Sequence, residues 1–348
     1  MTRSKVFITV SGTSALLAIV VVCVVVVCLR VAEQRDQGLK IINETLKRQK
    51  IKHEGVEYAR ARLPQDSELA SDWSLEKAMT MWQSNKIETL AQLARQFSQG
   101  QEDMSADDEE KLTQFIMHSP ELHELLEAIE CGLCEITLDP SKGQWQISNA
   151  QIKALKAMTY MLAARVILLA EKDDNQAALK TILNSYALMD VLLEVPNVKL
   201  QSYRPSMLLY IGYAIRRGVN PDEIPSNTKV KLLRYLERQS SEEPIVNALK
   251  LHEALVRQDV SAKHSTFIEF WLLAGYHQGM ERVMQSLDEP QQNTSKRWNE
   301  IIDNAPFYAG QTKWRLQNVA PDALQAQINA QRHAKSVCDF LGLRATKH

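Results

Sequence analysis

One uninterrupted apolar stretch near the start of the chain constrains the fold more than any other feature. Residues 6–29 read VFITVSGTSALLAIVVVCVVVVCL and include no charged side chain in 24 positions. A helix rises about 1.5 Å per residue, so this stretch is longer than the roughly 30 Å hydrocarbon core of a bilayer. We therefore predict a transmembrane helix within residues 1–32, in which residues 6–29 contact the lipid bilayer.

A cleaved secretory signal is the competing interpretation, because Arg3 and Lys5 precede the apolar stretch. The hydrophobic region of such a signal is usually about 7–15 residues long, and no A-x-A-like cleavage site follows here. A lipoprotein signal requires a small residue before its cysteine, whereas Val22 and Val27 precede the two cysteines of the stretch. The pattern favours an uncleaved signal anchor.

The charges around the span give conflicting evidence on its orientation. Arg3 and Lys5 favour an N-terminus on the inside, but Arg30, Arg35 and Lys40 follow the span and favour the opposite orientation under the positive-inside rule. The short basic tail is synthesised first, and moving its charges across the membrane is unfavourable. We therefore expect a single-pass membrane protein whose C-terminal body is extracytoplasmic.

The rest of the sequence has the composition of a helical globular protein. The chain of 348 residues is 45% hydrophobic and 24% charged, and it contains only 12 Gly and 11 Pro. Ala, Leu, Glu, Gln and Lys recur throughout, and these side chains lose little conformational freedom in a helix. The net charge of −1 provides no basic footprint for nucleic acid, so we expect no nucleic-acid partner.

Apolar periodicity divides the chain beyond the span into three parts. We expect a membrane-proximal helix or stalk over residues 33–64, a helical body over 65–342 and a disordered tail over 343–348. The clearest helices flank a polar turn at 172–175, and such short connections make two helices antiparallel neighbours. The predicted fold class is all-α, built from antiparallel helix pairs, with a solenoid-like stack as one possible arrangement.

Start signals and one turn motif refine this prediction. The predicted N-caps or first helical residues are Asp72 or Ser74, then Ser105, Ser119, Pro205, Thr228, Pro244, Thr266 and Pro321. The last helix should end at Leu341, with Gly342 as its stop. At most one small β-hairpin is expected, near residues 135–147, where apolar residues alternate around an Asp-Pro-Ser-Lys-Gly turn.

Two segments of the body carry a wider resemblance. These are LKAMTYMLAARVILLAEKDDNQAAL at 155–179 and QAQINAQRHAKSVCDFLGL at 325–343. Together with the basic start and the single apolar span, they resemble uncharacterised membrane-anchored helical proteins of bacteria. The resemblance covers the layout of most of the chain and includes no diagnostic motif, so it implies no known activity, cofactor or catalytic residue.

The one paired-cysteine motif is Cys131-Gly132-Leu133-Cys134. On a helix running through residues 121–135, neither cysteine lies on the main apolar stripe. The favoured interpretation is that Gly132 ends the helix and both thiols pack in a second contact. A disulfide within the motif, or from it to Cys338, is the next alternative and requires an oxidising compartment.

Two chemical interpretations of the same motif are weaker. A zinc site would need further ligands, and the spacing of His118 and His123 does not bring them to one helix face. A thioredoxin-type redox centre requires a βαβ setting, whereas this pair comes late in a helix. We therefore assign no catalytic, cofactor-binding or metal-binding residue, and Cys131, Cys134 and Cys338 remain the candidates for a disulfide.

No nucleotide-binding or hydrolase motif occurs in the sequence. We expect a membrane-tethered helical protein without a cofactor, and we favour a protein-binding or scaffolding module of the cell envelope over an enzyme. The alternative is a helical enzyme whose site is assembled from acids and histidines distant in sequence. A deep pocket joining such residues would favour the enzyme, and an apolar groove would favour the binding module.

Overall fold

The structure is a computed structural model that describes residues 3–63, 69, 73–101, 104–136, 147–263, 273, 276–287 and 310–343. Its helices are α1 (Arg3–Arg60), α2 (Leu75–Met81), α3 (Asn85–Gln99), α4 (Ala106–His118), α5 (Pro120–Glu130), α6 (Asn149–Glu171), α7 (Asn175–Leu193), α8 (Val198–Gly218), α9 (Ser226–Ser240), α10 (Glu243–Lys263), α11 (Tyr276–Leu287) and α12 (Gly310–Leu341). The described residues include no β-strand, so the all-α prediction is confirmed. The hairpin predicted near 135–147 falls mainly on residues 137–146, which lie outside the described residues.

Helix α1 is long and apolar enough to cross a membrane. Most of its large apolar side chains between Leu17 and Leu29 are exposed, whereas Val31 and Val56, further along, are buried. This later part of α1 lies against the body. Helix α10 is its neighbour there, and Ile42 packs against residues of that helix.

Helix α6 forms the centre of the body. Apolar residues cover nearly all of its circumference, and a helix that is hydrophobic all round is buried. It packs against α3, α7 and α8, with further contacts to α2 and α4. Its antiparallel partner α7 follows the polar turn at 172–175, where the sequence predicted it.

The last helix closes the bundle. Helix α12 returns to pack against α8 and α9, and it also contacts α11. In a linear solenoid each repeat contacts only its sequence neighbours. These long-range contacts instead give a body in which the N-terminal, central and C-terminal helices are packed together.

Side-chain caps begin several helices at the predicted residues. The Ser105 hydroxyl accepts the Asp108 backbone N–H, and the Ser119 hydroxyl accepts the Leu122 backbone N–H, with Pro120 at the first helical position. The Asp174 side chain accepts the Ala177 backbone N–H at the start of α7. Asp174 is therefore a cap residue, and Asp108 lies in the first turn of α4, where its carboxylate accepts the Ser105 hydroxyl at 2.7 Å.

Two predicted helix starts are wrong. Pro205 lies inside α8, which begins after the N-cap Asn197, and Pro321 lies inside α12. A proline inside a helix removes one backbone hydrogen bond and costs about 3 kcal/mol. The packing of these long helices against several neighbours outweighs that cost. The starts expected near Thr228 and Pro244 are found within two residues, and Thr266 lies outside the described residues.

Helix α5 is shorter than the helix assumed for the cysteine motif. It ends at Glu130, and Gly132 adopts a positive φ of 70°. The backbone N–H of Leu133 donates to the Ala128 carbonyl at 2.9 Å, and that of Gly132 donates to the Ile129 carbonyl at 3.1 Å. This pair of bonds is a Schellman motif, which needs a residue in the left-handed region and so favours glycine.

Candidate functional site

The three candidate disulfide cysteines belong to the main core. Cys134 and Cys338 are buried, and Cys131, the C-cap of α5, is half-buried against the same core. Because the chain turns at Gly132, Cys134 leaves the helical face on which the sequence placed it and packs inward. All three are free thiols in the structure, and a disulfide among them stays a prediction.

Burial makes these thiols poor nucleophiles. It raises the pKa of Cys134 to about 12, and it also raises the pKa values of Cys131 and Cys338. The thiolate is the reactive form of cysteine, so a raised pKa suppresses reactivity at neutral pH. The motif therefore has the properties of packed thiols, which was the favoured interpretation of the sequence.

A buried polar network joins α7, α8 and α9. Arg204 of α8 is fully buried; its Nε donates to Gln201 Oε1 at 3.0 Å, and its Nη1 donates to the side-chain and backbone oxygens of Gln239. Gln239 Nε2 donates to Asp190 Oδ1 at 2.5 Å, and Arg238 pairs with the other oxygen of that carboxylate at 2.6 Å. Burial lowers the pKa of Arg204 to about 10.

Gln201 connects this network to the end of α7. Its Nε2 donates to the backbone carbonyls of Leu192, Leu193 and Val195 at 2.8–3.2 Å. The last carbonyls of a helix have no intrahelical partner, so a buried helix end needs donors from elsewhere. Gln201 supplies them while accepting from Arg204, and this part of the network is therefore structural.

A second buried pair links α7 and α12. Tyr186 is 0% and His333 is 7% exposed, and the Tyr186 hydroxyl and His333 Nε2 share a hydrogen bond of 3.1 Å. Burial, with smaller contributions from Arg216 and Arg204, lowers the pKa of His333 to about 3. The ring is therefore neutral at physiological pH. Neither residue lines the two clefts described below, of about 1060 Å³ and about 780 Å³.

The sequence analysis missed these buried polar residues, although a signal for them exists. Leu200, Arg204 and Leu208 recur at intervals of four residues on α8, and His333 falls between the buried Ala330 and Val337 on α12. An ionisable residue within an apolar stripe indicates a buried polar group that needs a partner. The partners themselves come from other helices and follow no sequence spacing.

A cleft of about 1060 Å³ lies between α8, α10 and α12, and we call it the α10 cleft. Its buried or half-buried apolar lining includes Val198, Ala248, Leu251, Leu255, Val256, Val319 and Ala326. Exposed amides surround this lining, including Gln258, Gln325 and Asn329. Tyr203 is also exposed at the cleft, and the Lys156 ammonium lies 4.1 Å from the centre of its ring.

The neighbours His252 and Glu253 face different parts of the structure. His252 lines the α10 cleft together with Asp259 and Asp322. Glu253 is buried instead, where its carboxylate pairs with Arg257 at 3.2 Å and with His277 at 2.7 Å. Adjacent residues on a helix point about 100° apart, so the two side chains cannot act in one site.

A second cleft of about 780 Å³ separates α1 from the start of α10. Lys40, Arg48 and Lys250 line it, as do Glu44 and Glu243. Its mixed charges give no clear preference for an anion or a cation. Among the described residues, no group of three or more His, Cys, Asp and Glu side chains could hold a metal ion.

Comparisons with known proteins identify no relative of this chain. No protein-family model, no curated protein and no solved structure matches it. The α10 cleft is therefore the best candidate functional site on geometric grounds, because it combines an apolar lining with an amide rim and is larger than the cleft beside α1.

Proposed function

We propose that the protein is a membrane-tethered helical module that binds another protein through the α10 cleft. The observation that carries the proposal is the composition of the cleft. Its apolar lining can bury side chains of a partner, and the exposed amides of Gln258, Gln325 and Asn329 can bond the partner's backbone. A role in scaffolding the cell envelope is consistent with a body carried on an apolar N-terminal helix.

The size of the cleft supports a peptide segment as the bound element. About 1060 Å³ lies at the upper end of typical small-molecule pockets, and the cleft follows α10 from Ala248 to Ala262. At about 1.5 Å per residue, this part of α10 extends over roughly 21 Å, the length of about six extended residues or a four-turn helix. The α10 cleft is thus long enough for a segment of a partner chain.

Site-specific photo-crosslinking in native membranes tests this proposal. A photoreactive residue is placed at Gln258 on α10 or at Gln325 on α12, and Val230, which is 51% exposed on α9 and lines neither cleft, is the control. Both cleft positions should give an adduct of the same mass, and Leu255→Glu should abolish it by placing a charge in the apolar lining. Equal adducts from Val230, or adducts unaffected by Leu255→Glu, would contradict the proposal.

We further propose that the protein spans the membrane once and that its body is extracytoplasmic. The apolar exposed surface of α1 supports the span, and the basic N-terminal tail supports the orientation. A Val230→Cys variant should react with an impermeant thiol reagent in intact cells. Labelling that occurs only after lysis would refute the outward orientation without affecting the span.

One observation favours the alternative of a helical enzyme. His252 and Asp259 from α10 line the same cleft as Asp322 from α12, which is distant from them in sequence. Such groups could act as acid and base on a bound small molecule. Incubating the purified chain with a cell metabolite extract, beside His252→Gln, tests this alternative by mass spectrometry. A product formed by the unaltered chain alone would favour the enzyme.

A further inference from the structure

Helix α10 runs antiparallel to α1 immediately beyond the apolar span. Arg35 Nε donates to Ser261 Oγ at 3.2 Å, and Ile42 packs in one cluster with Leu251 and Ala254. A Cβ atom added at Gly38 would lie 3.8 Å from the Ala254 Cα, so the two backbones approach closely there. As residue numbers fall along α1, those of the contacting residues on α10 rise.

This register fixes the height of α10 relative to the span. Starting from the Gly38–Ala254 contact, nine residues back along α1 lead to Leu29, the last residue of the apolar stretch. Nine residues forward along α10 lead to Lys263, the last described residue of that helix. Both helices rise by the same amount per residue, so Lys263 lies level with the end of the span.

The exposure of α1 changes at the same level. Leu17 and Leu29 are 70% and 65% exposed, whereas Val31 is 2% exposed. Contacts between α1 and the body therefore begin within two residues of the end of the apolar stretch. Because Val31 is already buried and α1 is one continuous helix through this region, no length of free helix separates the span from the body.

We propose that the body rests directly on the membrane surface, with the last turn of α10 and the facing turn of α1 in the phospholipid headgroup layer. The headgroup layer is about 5–7 Å thick on each side of the hydrocarbon core, which corresponds to roughly four residues of a helix beyond Leu29. This inference rests on the proposed membrane span. Arg30 and Glu33 are exposed at this level with opposite charges, so the contact needs no anionic lipid.

The position of the body also restricts the partner. Gln258, Asp259 and Ala262 line the end of the α10 cleft that is nearest to the span. A segment bound along the whole cleft then lies close to the lipid headgroups. The α10 cleft is therefore suited to a partner segment that leaves the same membrane.

Fluorescence quenching in vesicles of zwitterionic phosphatidylcholine tests the inference with the full chain. A fluorophore is attached at Ala262→Cys near the end of α10, or at Glu243→Cys at its start, after the exposed Cys23, Cys28 and half-buried Cys131 are replaced by Ser. The two exposed label positions are separated by about 28 Å along one helix. A nitroxide on the lipid headgroup should quench most of the fluorescence at position 262 and little at position 243.

A lengthened anchor provides the matched control. Seven Ala, Glu and Lys residues inserted after Arg30 add almost two whole turns and raise the body by about 10 Å with little rotation. This insertion should remove most of the quenching at position 262. Weak quenching at position 262 in the original chain, or quenching that the insertion leaves unchanged, would overturn the inference.

Flotation of the vesicles after an alkaline wash separates this result from a failure of the membrane span. A chain that does not float with the vesicles refutes the span and, with it, the placement of the body. A chain that floats but is not quenched at position 262 refutes only the placement. Flotation with strong quenching at position 262 and weak quenching at position 243 supports both.

Discussion

His333 should make the folded protein sensitive to mild acid. Its ring is buried between α7, α8 and α12, where it bonds Tyr186 and lies 3.1 Å from the position of a Cβ on Gly212. Burial lowers its pKa to about 3 in the folded state. A histidine in an unfolded chain has a pKa of about 6.5. As the pH falls below 6.5, the unfolded chain therefore takes up a proton that the folded chain does not.

The magnitude follows from this difference in proton uptake. Each pH unit between 6.5 and the folded pKa lowers the free energy of unfolding by about 1.36 kcal/mol. Lowering the pH from 7 to 5 should therefore cost about 2 kcal/mol at this residue. That cost is a large fraction of the roughly 5–15 kcal/mol by which proteins of ordinary stability are folded.

Two other histidines titrate with the opposite sign. Hydrogen bonding to Glu135 raises the pKa of His53, and hydrogen bonding to Glu253 raises the pKa of His277. Their contributions to stability are present below pH 6.5 and are lost as the pH rises through the folded pKa. Their side chains are 56% and 39% exposed, so solvent screening reduces these contributions.

Urea unfolding of the detergent-solubilised chain at pH 7 and pH 5 measures the effect. The control is His333→Gln, whose uncharged amide can still bond the Tyr186 hydroxyl. Because His53 and His277 titrate in both proteins, their contributions cancel in the comparison. The original chain should lose about 2 kcal/mol more than His333→Gln between the two pH values. Equal losses in both proteins would refute the assignment of a neutral, buried ring.

Three further predictions concern packing and backbone geometry, and each is measured as a change in the free energy of unfolding. Gly38→Leu should cost about 1–3 kcal/mol by forcing α1 and α10 apart. The control Gly55→Leu should not destabilise the protein, because a Cβ at Gly55 meets no atom within 4 Å. Equal costs for the two substitutions would contradict the close approach of α1 and α10. Asp173 has a φ of 60°, so Asp173→Gly should stabilise the protein by about 0.5–1 kcal/mol. Asp174→Ala should cost about 1 kcal/mol, because it removes the N-cap of α7. Free-energy changes of the same sign for the two substitutions would refute these assignments. Gln201→Met should cost about 2 kcal/mol or more, because the Leu193 carbonyl loses its donor and the buried Nε of Arg204 loses its acceptor; a neutral result would show that these groups find other partners.

Local features of the chain were predictable because their causes lie within a few residues. The caps Ser105 and Ser119 satisfy N–H groups three residues away, and the turn at 172–175 separates two apolar periodicities. Prolines predicted the starts of helices less reliably. Pro205 and Pro321 resembled helix starts, but packing against distant helices keeps both inside longer helices.

The candidate site was not predictable, because its parts come from helices far apart in sequence. The α10 cleft combines residues from α8, α10 and α12, and no motif joins them. The buried Arg204 and His333 could be suspected from their apolar stripes. Their partners Gln239 and Tyr186 could not be identified in the same way, since helix spacing relates only residues within one helix.

The sequence by itself determined the long apolar N-terminal helix and the all-α class, because hydrophobic length and periodicity act within one helix. Only the tertiary structure decided which helix faces meet. In that structure Cys134 lies in the core after the turn at Gly132, and Gly38 of α1 packs against Ala254 of α10. The physical reason is that contacts between distant helices depend on how whole apolar faces pack, and many pairings of such faces are compatible with one sequence pattern.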